Sequence, residues 1–208
     1  MRKKNKLVYG VGINDADYTV QVKETVGHTE IGTKIQKLLW FCPFYVKWKD
    51  MLRRCYSQKY HDKFPTYVGC RTVPEWHYFM TFRAWMEKQD WEGRHLDKDL
   101  LIPGNKVYSP DTCVFLDANI NTFLIESTKA TGNLPIGVTF HRASGKFAAQ
   151  GNSLETGKRK HLGLFVDPQD AHQTWLSSKL EEAKLLASSQ KDERVSKALL
   201  NYYEKHQV

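Results

Sequence analysis

The chain has 208 residues, 31 Lys plus Arg against 23 Asp plus Glu, and a formal net charge of +8. That length suits one large domain or two small ones. With 41% hydrophobic and 12% aromatic residues it is too apolar for a disordered basic tail and too ordinary for a collagen-like or mucin-like stalk.

No apolar run approaches the roughly 20 residues of a membrane helix. The start, Met1 to Lys6 followed by a short apolar stretch to Gly12, does not read as a secretory leader. Four scattered cysteines, Cys42, Cys55, Cys70 and Cys113, do not make a disulfide framework and point to a reducing compartment. A soluble, cytoplasmic protein is expected.

In chain order, short extended pieces are predicted around Leu7–Val11 and Tyr18–Val22 from β-branched content and alternation. From Phe44 the apolar residues Tyr45, Trp48, Met51, Leu52 and Cys55 recur at helical spacing, with Lys47, Lys49, Arg53 and Arg54 on other faces. A polar stretch to about Gly69 follows, with Asp62 and Pro65 as breakers. Pro74 opens a second helix whose Trp76, Phe79, Met80, Phe82, Trp85 and Met86 form a broad aromatic face, read as core. Arg94–Ile102 reads as a strand, Pro103–Lys106 as a turn and Cys113–Leu116 as the returning strand. Asp117 can cap a helix from Ala118. Small and polar residues 127–133 read as a linker. Three β-like runs come next, Ile136–His141, Lys146–Gln150 and Lys160–Phe165, with Gly145 and Gly157 in the turns between them. Asp167 and Pro168 start a helix with an apolar stripe of Ala171, Trp175, Leu180, Ala183 and Ala187, and a last amphipathic helix begins near Arg194. The fold class is therefore α+β, in two modules.

The charge is unevenly placed. Residues 127–166 hold six basic groups and one acidic, whereas residues 93–126 hold three basic and five acidic. Clustered positive charge suits a polyanion partner, and an acidic island suits a divalent cation. Solvated faces that merely differ would give the same counts.

The segment from Leu96 through Asp97, Lys98 and Asp99, then Pro103-Gly-Asn-Lys106, Cys113–Leu116 and on to Asn121 resembles the ββα-metal (His-Me) finger of HNH endonucleases, in the divergent form of bacteriophage and prophage proteins. Trp48–Tyr56 and Gly69–Trp76 resemble the N-terminal part of the same proteins. Leu134-Pro-Ile-Gly-Val138, Gly145-Lys-Phe147, His161–Phe165 and Asp170-Ala171 are similar to the Apetala-type, or ethylene-response-factor, DNA-binding domain, a three-stranded antiparallel sheet backed by a helix. Finger then reader is the order of HNH homing endonucleases. The resemblance implies a nuclease domain over residues 1–126 with its finger at about 94–126, a DNA-binding domain over 133–188 and a C-terminal helix over 189–208. It also implies double-stranded DNA as partner, a homodimer as an open option, and a bacterial host's cytoplasm for a phage-encoded chain.

Phosphodiester hydrolysis needs a divalent ion beside the phosphate and a base to deprotonate water. Oxygen ligands suit Mg²⁺, which needs only one or two side chains. The resemblance implies Asp97 and Asn121 as metal ligands and places Lys98 where working fingers carry the histidine base. Three readings stay open: Lys98 steadies the phosphate, His95 two residues before Asp97 supplies the base, or the finger binds DNA without cutting it. Structural zinc is not expected, because cysteine spacings of 13, 15 and 43 residues contain no CxxC pair. The resemblance makes Arg142, Lys146, Lys158, Arg159, Lys160 and His161 the DNA-binding candidates, with Arg suited to guanine and Lys to phosphate. Val138, Phe147, Leu162 and Phe165 should pack on Trp175 and Leu180. A DNA-binding protein without catalysis, and a protein whose basic face meets an acidic partner, are the alternatives.

Overall fold

The computed structural model describes residues 7–126, 133–154 and 156–204. It is an α+β protein with nine strands in four small sheets and six helices among the described residues. Two compact units divide the chain: Met1–Glu92 with Leu96–Phe115, and Gly93–His95 with Leu116–Val208. The division falls at Phe115 and Leu116, inside the predicted finger, rather than at the expected boundary of 126. The expected linker lies outside the described residues apart from Asn133. Among the described residues no helix is long and apolar enough to cross a membrane.

The first unit opens on a hairpin of β1 (Gln21–His28) and β2 (Lys34–Phe41), antiparallel and turned through Thr29–Thr33. Only the first residues of β1 were predicted extended. Nearly every position on both strands is exposed, so neither face demands the alternation that marks a half-buried strand. Helix α1 (Pro43–Tyr56) forms as predicted. Proline stands in its first turn, and Tyr45, Trp48, Met51, Leu52 and Cys55 are buried along one face.

A short helix α2 (Gln58–Lys63) occupies part of the stretch read as polar and irregular; it buries none of its residues, so it shows no apolar period. The predicted second helix arrives as a 3₁₀ turn, Pro74–His77, followed by α3 (Phe79–Met86). Trp48, Trp76, Phe79, Phe82 and Met86 are fully buried together, and the Trp48 indole donates to the Trp76 carbonyl at 2.7 Å. Each such side chain contributes roughly 1.5–3 kcal/mol by leaving water. The aromatic face is thus core, as expected.

The remaining strands are short. β3 (Arg71–Thr72) pairs in parallel with β5 (Val107–Tyr108), and β4 (His95–Asp97) pairs with β6 (Val114–Leu116). The strand predicted to reach Ile102 stops at Asp97, because the Asp97 carboxylate accepts the Asp99 and Leu100 backbone N–H groups at 2.8 Å each and turns the chain.

In the second unit α4 (Ala118–Glu126) is followed by an antiparallel sheet in order β7 (Val138–His141), β8 (Lys146–Asn152), β9 (Arg159–Phe165). Then come α5 (Pro168–Ser188), capped by the Asp167 carboxylate on the Gln169 N–H at 2.7 Å, and α6 (Glu193–Glu204). Val138, Ala149 and Ala171 form a core with Leu134, Phe147, Leu162 and Phe165 packed on it. The Trp175 indole lies on Gly137, whose φ is +80° and whose position admits no Cβ. Phe123 of α4 meets Tyr203 of α6, ring centroids 5.1 Å apart, and the buried Lys179 ammonium of α5 sits 4.6 Å from the Phe123 ring while pairing with Glu182. The helix predicted to complete the finger is therefore built into the core of the second unit.

Candidate functional site

The loop after β4 is organised by reciprocal hydrogen bonds. Lys98 is buried, and its ammonium donates to the Asn105 carbonyl at 2.8 Å, pairs with the Asp99 carboxylate and lies 5.8 Å from the Tyr108 ring. Asn105 answers by donating its amide to the Lys98 and Val107 carbonyls at 2.8 and 2.7 Å and accepting the Val107 N–H at 3.0 Å. Loop residues 98–107 are closed on themselves by this exchange. Arg54 of α1 reaches the Leu96 carbonyl at 3.1 Å and ties β4 to the core. The Lys98 amine is thus committed to the interior of the first unit, where it neutralises Asp99 and holds a turn.

Asp97 is half-buried, and burial raises its carboxyl above the usual carboxylate range, partly opposed by the two N–H groups that turn the chain. One oxygen, Oδ1, serves that turn, which leaves Oδ2 for a ligand. This oxygen-only donor set fits a hard divalent ion such as Mg²⁺, for which one or two side chains suffice. His95 is exposed and, two residues from Asp97 on one strand, shares its face. Asn121 belongs to the second unit, in the first turns of α4, where its N–H bonds the Asp117 carbonyl. Asp117 stands at the start of that helix, and its carboxylate pairs with Arg94 at 3.1 Å.

Cys55 and Cys113 are buried thiols in the first core, each pushed upward mainly by burial, Cys113 to about 12. Among the described residues no group of three or more His, Cys, Asp or Glu side chains is placed to hold a metal.

In the second unit the register assigns faces. Gly151 lies against Trp175 and Lys179, so β8 residues 147, 149 and 151 face α5, and Lys146, Ala148, Gln150 and Asn152 face the opposite way. Cross-strand partners share a face: His141 with Lys146, Thr139 with Ala148, His161 with Gln150, Arg159 with Asn152. Of the six predicted DNA-binding residues, Lys146, Arg159 and His161 therefore share the face away from α5. Arg142 and Lys158 sit in the two turns, and Lys160, opposite Gly151, lies on the α5 side. All six are exposed.

The same face holds Thr139, Gln150 and Asn152, which were not singled out from the sequence although the i, i+2 series from Lys146 contains two of them. Its two ends are basic, and its middle combines the neutral groups of Thr139, Gln150 and His161 with the buried Ala148 and the exposed apolar Leu164. Lys146 and Asn152 stand about 20 Å apart at roughly 3.3 Å per residue.

The chain matches no protein-family model, no curated protein and no solved structure. Residue geometry alone therefore supports a functional reading.

Proposed function

We propose that the chain is a metal-dependent DNA endonuclease of the HNH type, in which the sheet of the second unit binds duplex DNA and the Asp97 strand serves hydrolysis of the phosphodiester backbone. The observation that carries the reading is the sheet face: Lys146 and His141 at one end, Arg159 at the other, Gln150 and His161 between. Positive ends suit the two phosphate backbones that border a groove, and amides and imidazoles between them suit base edges.

For catalysis, Asp97 offers one carboxylate oxygen to a divalent ion, which when bound supplies Lewis-acid charge to the scissile phosphate. His95, exposed on the same strand face, is the group suited to take the proton of the attacking water as the new P–O bond forms and the old one breaks. Lys98 has no part in that step; it closes the loop that presents Asp97.

The test is plasmid nicking by the full chain in Mg²⁺. Wild type nicks, Asp97→Ala does not, and His95→Ala falls by roughly 10²-fold or more. Equal inertness of wild type and Asp97→Ala on every duplex refutes the catalytic half. A second reading is favoured by one observation, the burial of the amine that stands at the usual histidine position: a duplex-binding protein that does not cut. It predicts salt-dependent, metal-independent binding with no nicking.

A further inference from the structure

The first unit carries a basic surface that the sheet does not account for. Residues 53–71 hold five Lys and Arg and a single carboxylate, Asp62. Arg53 lies 4.9 Å from the Tyr60 ring, Tyr60 packs on Phe64 and Tyr67 at 4.7 and 5.4 Å, and Lys63 lies 5.4 Å from the Phe64 ring. Lys106 closes the set: its ammonium donates to the Thr66 carbonyl, and its own carbonyl accepts the Arg71 N–H at 2.8 Å. Lys59, Lys63, Arg71 and Lys106 are all exposed.

The nearby carboxylates are engaged locally, Asp62 by the Gln58 amide, Asp50 by Arg53 and Asp99 by Lys98. Lys106 meets only a neutral carbonyl there, which leaves its charge in place and two of its three N–H donors for another acceptor.

We propose that this surface of α2, Pro65–Tyr67 and the β3–β5 pair is a second contact for the phosphate backbone of duplex DNA, one that reads no sequence. The reading of duplex DNA as ligand is the premise on which it rests. Backbone contact is favoured over stacking on unpaired bases because the rings are already occupied. Tyr60 and Tyr67 pack on each other under Arg53 and Arg54, and Phe64, 39% exposed, is covered on one side by Lys63. The aromatic base holds Arg53 and Lys63, and the Thr66 carbonyl holds Lys106, so little ordering of these side chains is lost when phosphates arrive.

The experiment measures the salt dependence of binding of the full chain to a short duplex. Each lost phosphate contact lowers the slope of log K against log salt by about 0.9, so Lys63→Gln with Arg71→Gln should lower it by about 1.8, equally for unrelated duplex sequences. Lys59→Gln with Lys63→Gln changes α2 alone, leaves the strand pair untouched, and should also lower the slope. An unchanged slope in both double variants, with a reduced slope in Lys146→Gln and Arg159→Gln, overturns this inference and leaves the sheet reading intact. Absence of duplex binding by wild type overturns both. Losses seen only with single-stranded DNA or an acidic peptide overturn the assignment to duplex.

Discussion

Replacing Lys98 by Met removes the ammonium and keeps most of the stem, which isolates what the charge contributes. The Asn105 carbonyl loses the donor 2.8 Å away, and Asp99 loses its partner. A half-buried carbonyl left without its donor costs about 1–3 kcal/mol, and a pair with a carboxylate that is 55% exposed adds at most about 1 kcal/mol. Relief from holding an ammonium in the interior offsets part of this. The net is a loss of about 1–3 kcal/mol, which at a urea slope near 1.5 kcal/mol/M lowers the midpoint by about 0.7–2 M. Tryptophan fluorescence reports it, because Trp48, Trp76 and Trp85 lie in the first core. Nicking should fall only as far as the Asp97 loop is loosened. If Lys98→Met keeps the wild-type midpoint yet abolishes nicking, the ammonium faces the substrate and the structural role argued for it is wrong.

Three other outcomes follow from the geometry. Gly137→Ala places a Cβ 2.1 Å from the Trp175 ring at a φ of +80°, and should destabilise the second unit by more than about 3 kcal/mol in thermal unfolding; a change under about 1 kcal/mol would contradict the packing. Because burial holds the Cys113 thiol at about 12 in the folded chain against 9.0 unfolded, folding binds the proton more tightly. Its contribution is complete below pH 9 and is lost progressively as pH rises from 9 toward 12. Urea midpoints should fall less steeply in this range for Cys113→Ala than for wild type. Gln150→Ala and Asn152→Ala should reduce base preference in a binding-site selection by about 1–3 kcal/mol at an affected position without changing the salt slope, whereas a lower slope with unchanged preference would make them backbone contacts.

Much of this architecture was legible wherever burial imposes a period. Helix α1, the aromatic cluster of Trp76 to Met86, the β7–β9 sheet and the Asp167-capped helix all carry one apolar face, and that face is written in residue spacing. The hairpin of β1 and β2 and the helix α2 were not legible for the opposite reason: nearly every position on them meets solvent, so no face constrains the residues. The sequence placed Asp97, Lys98 and His95 on one segment, with His95 and Asp97 on one strand face, but left open which group serves as base.

Direction was decided by tertiary structure. A lysine between two aspartates reads as surface charge or as a catalytic cation, and only the return of Asn105 to its side shows it to be the buried pin of the loop. The basic run Lys158–His161 reads as four equivalent contacts until the pairing with β8 turns Arg159 and His161 to one face and Lys160 to the other. Composition and the order of residues along the chain together established an α+β chain with an apolar core and a localised excess of positive charge. Which cations share a surface depends on contacts between residues as distant in sequence as Thr66 and Lys106, and no local pattern encodes those.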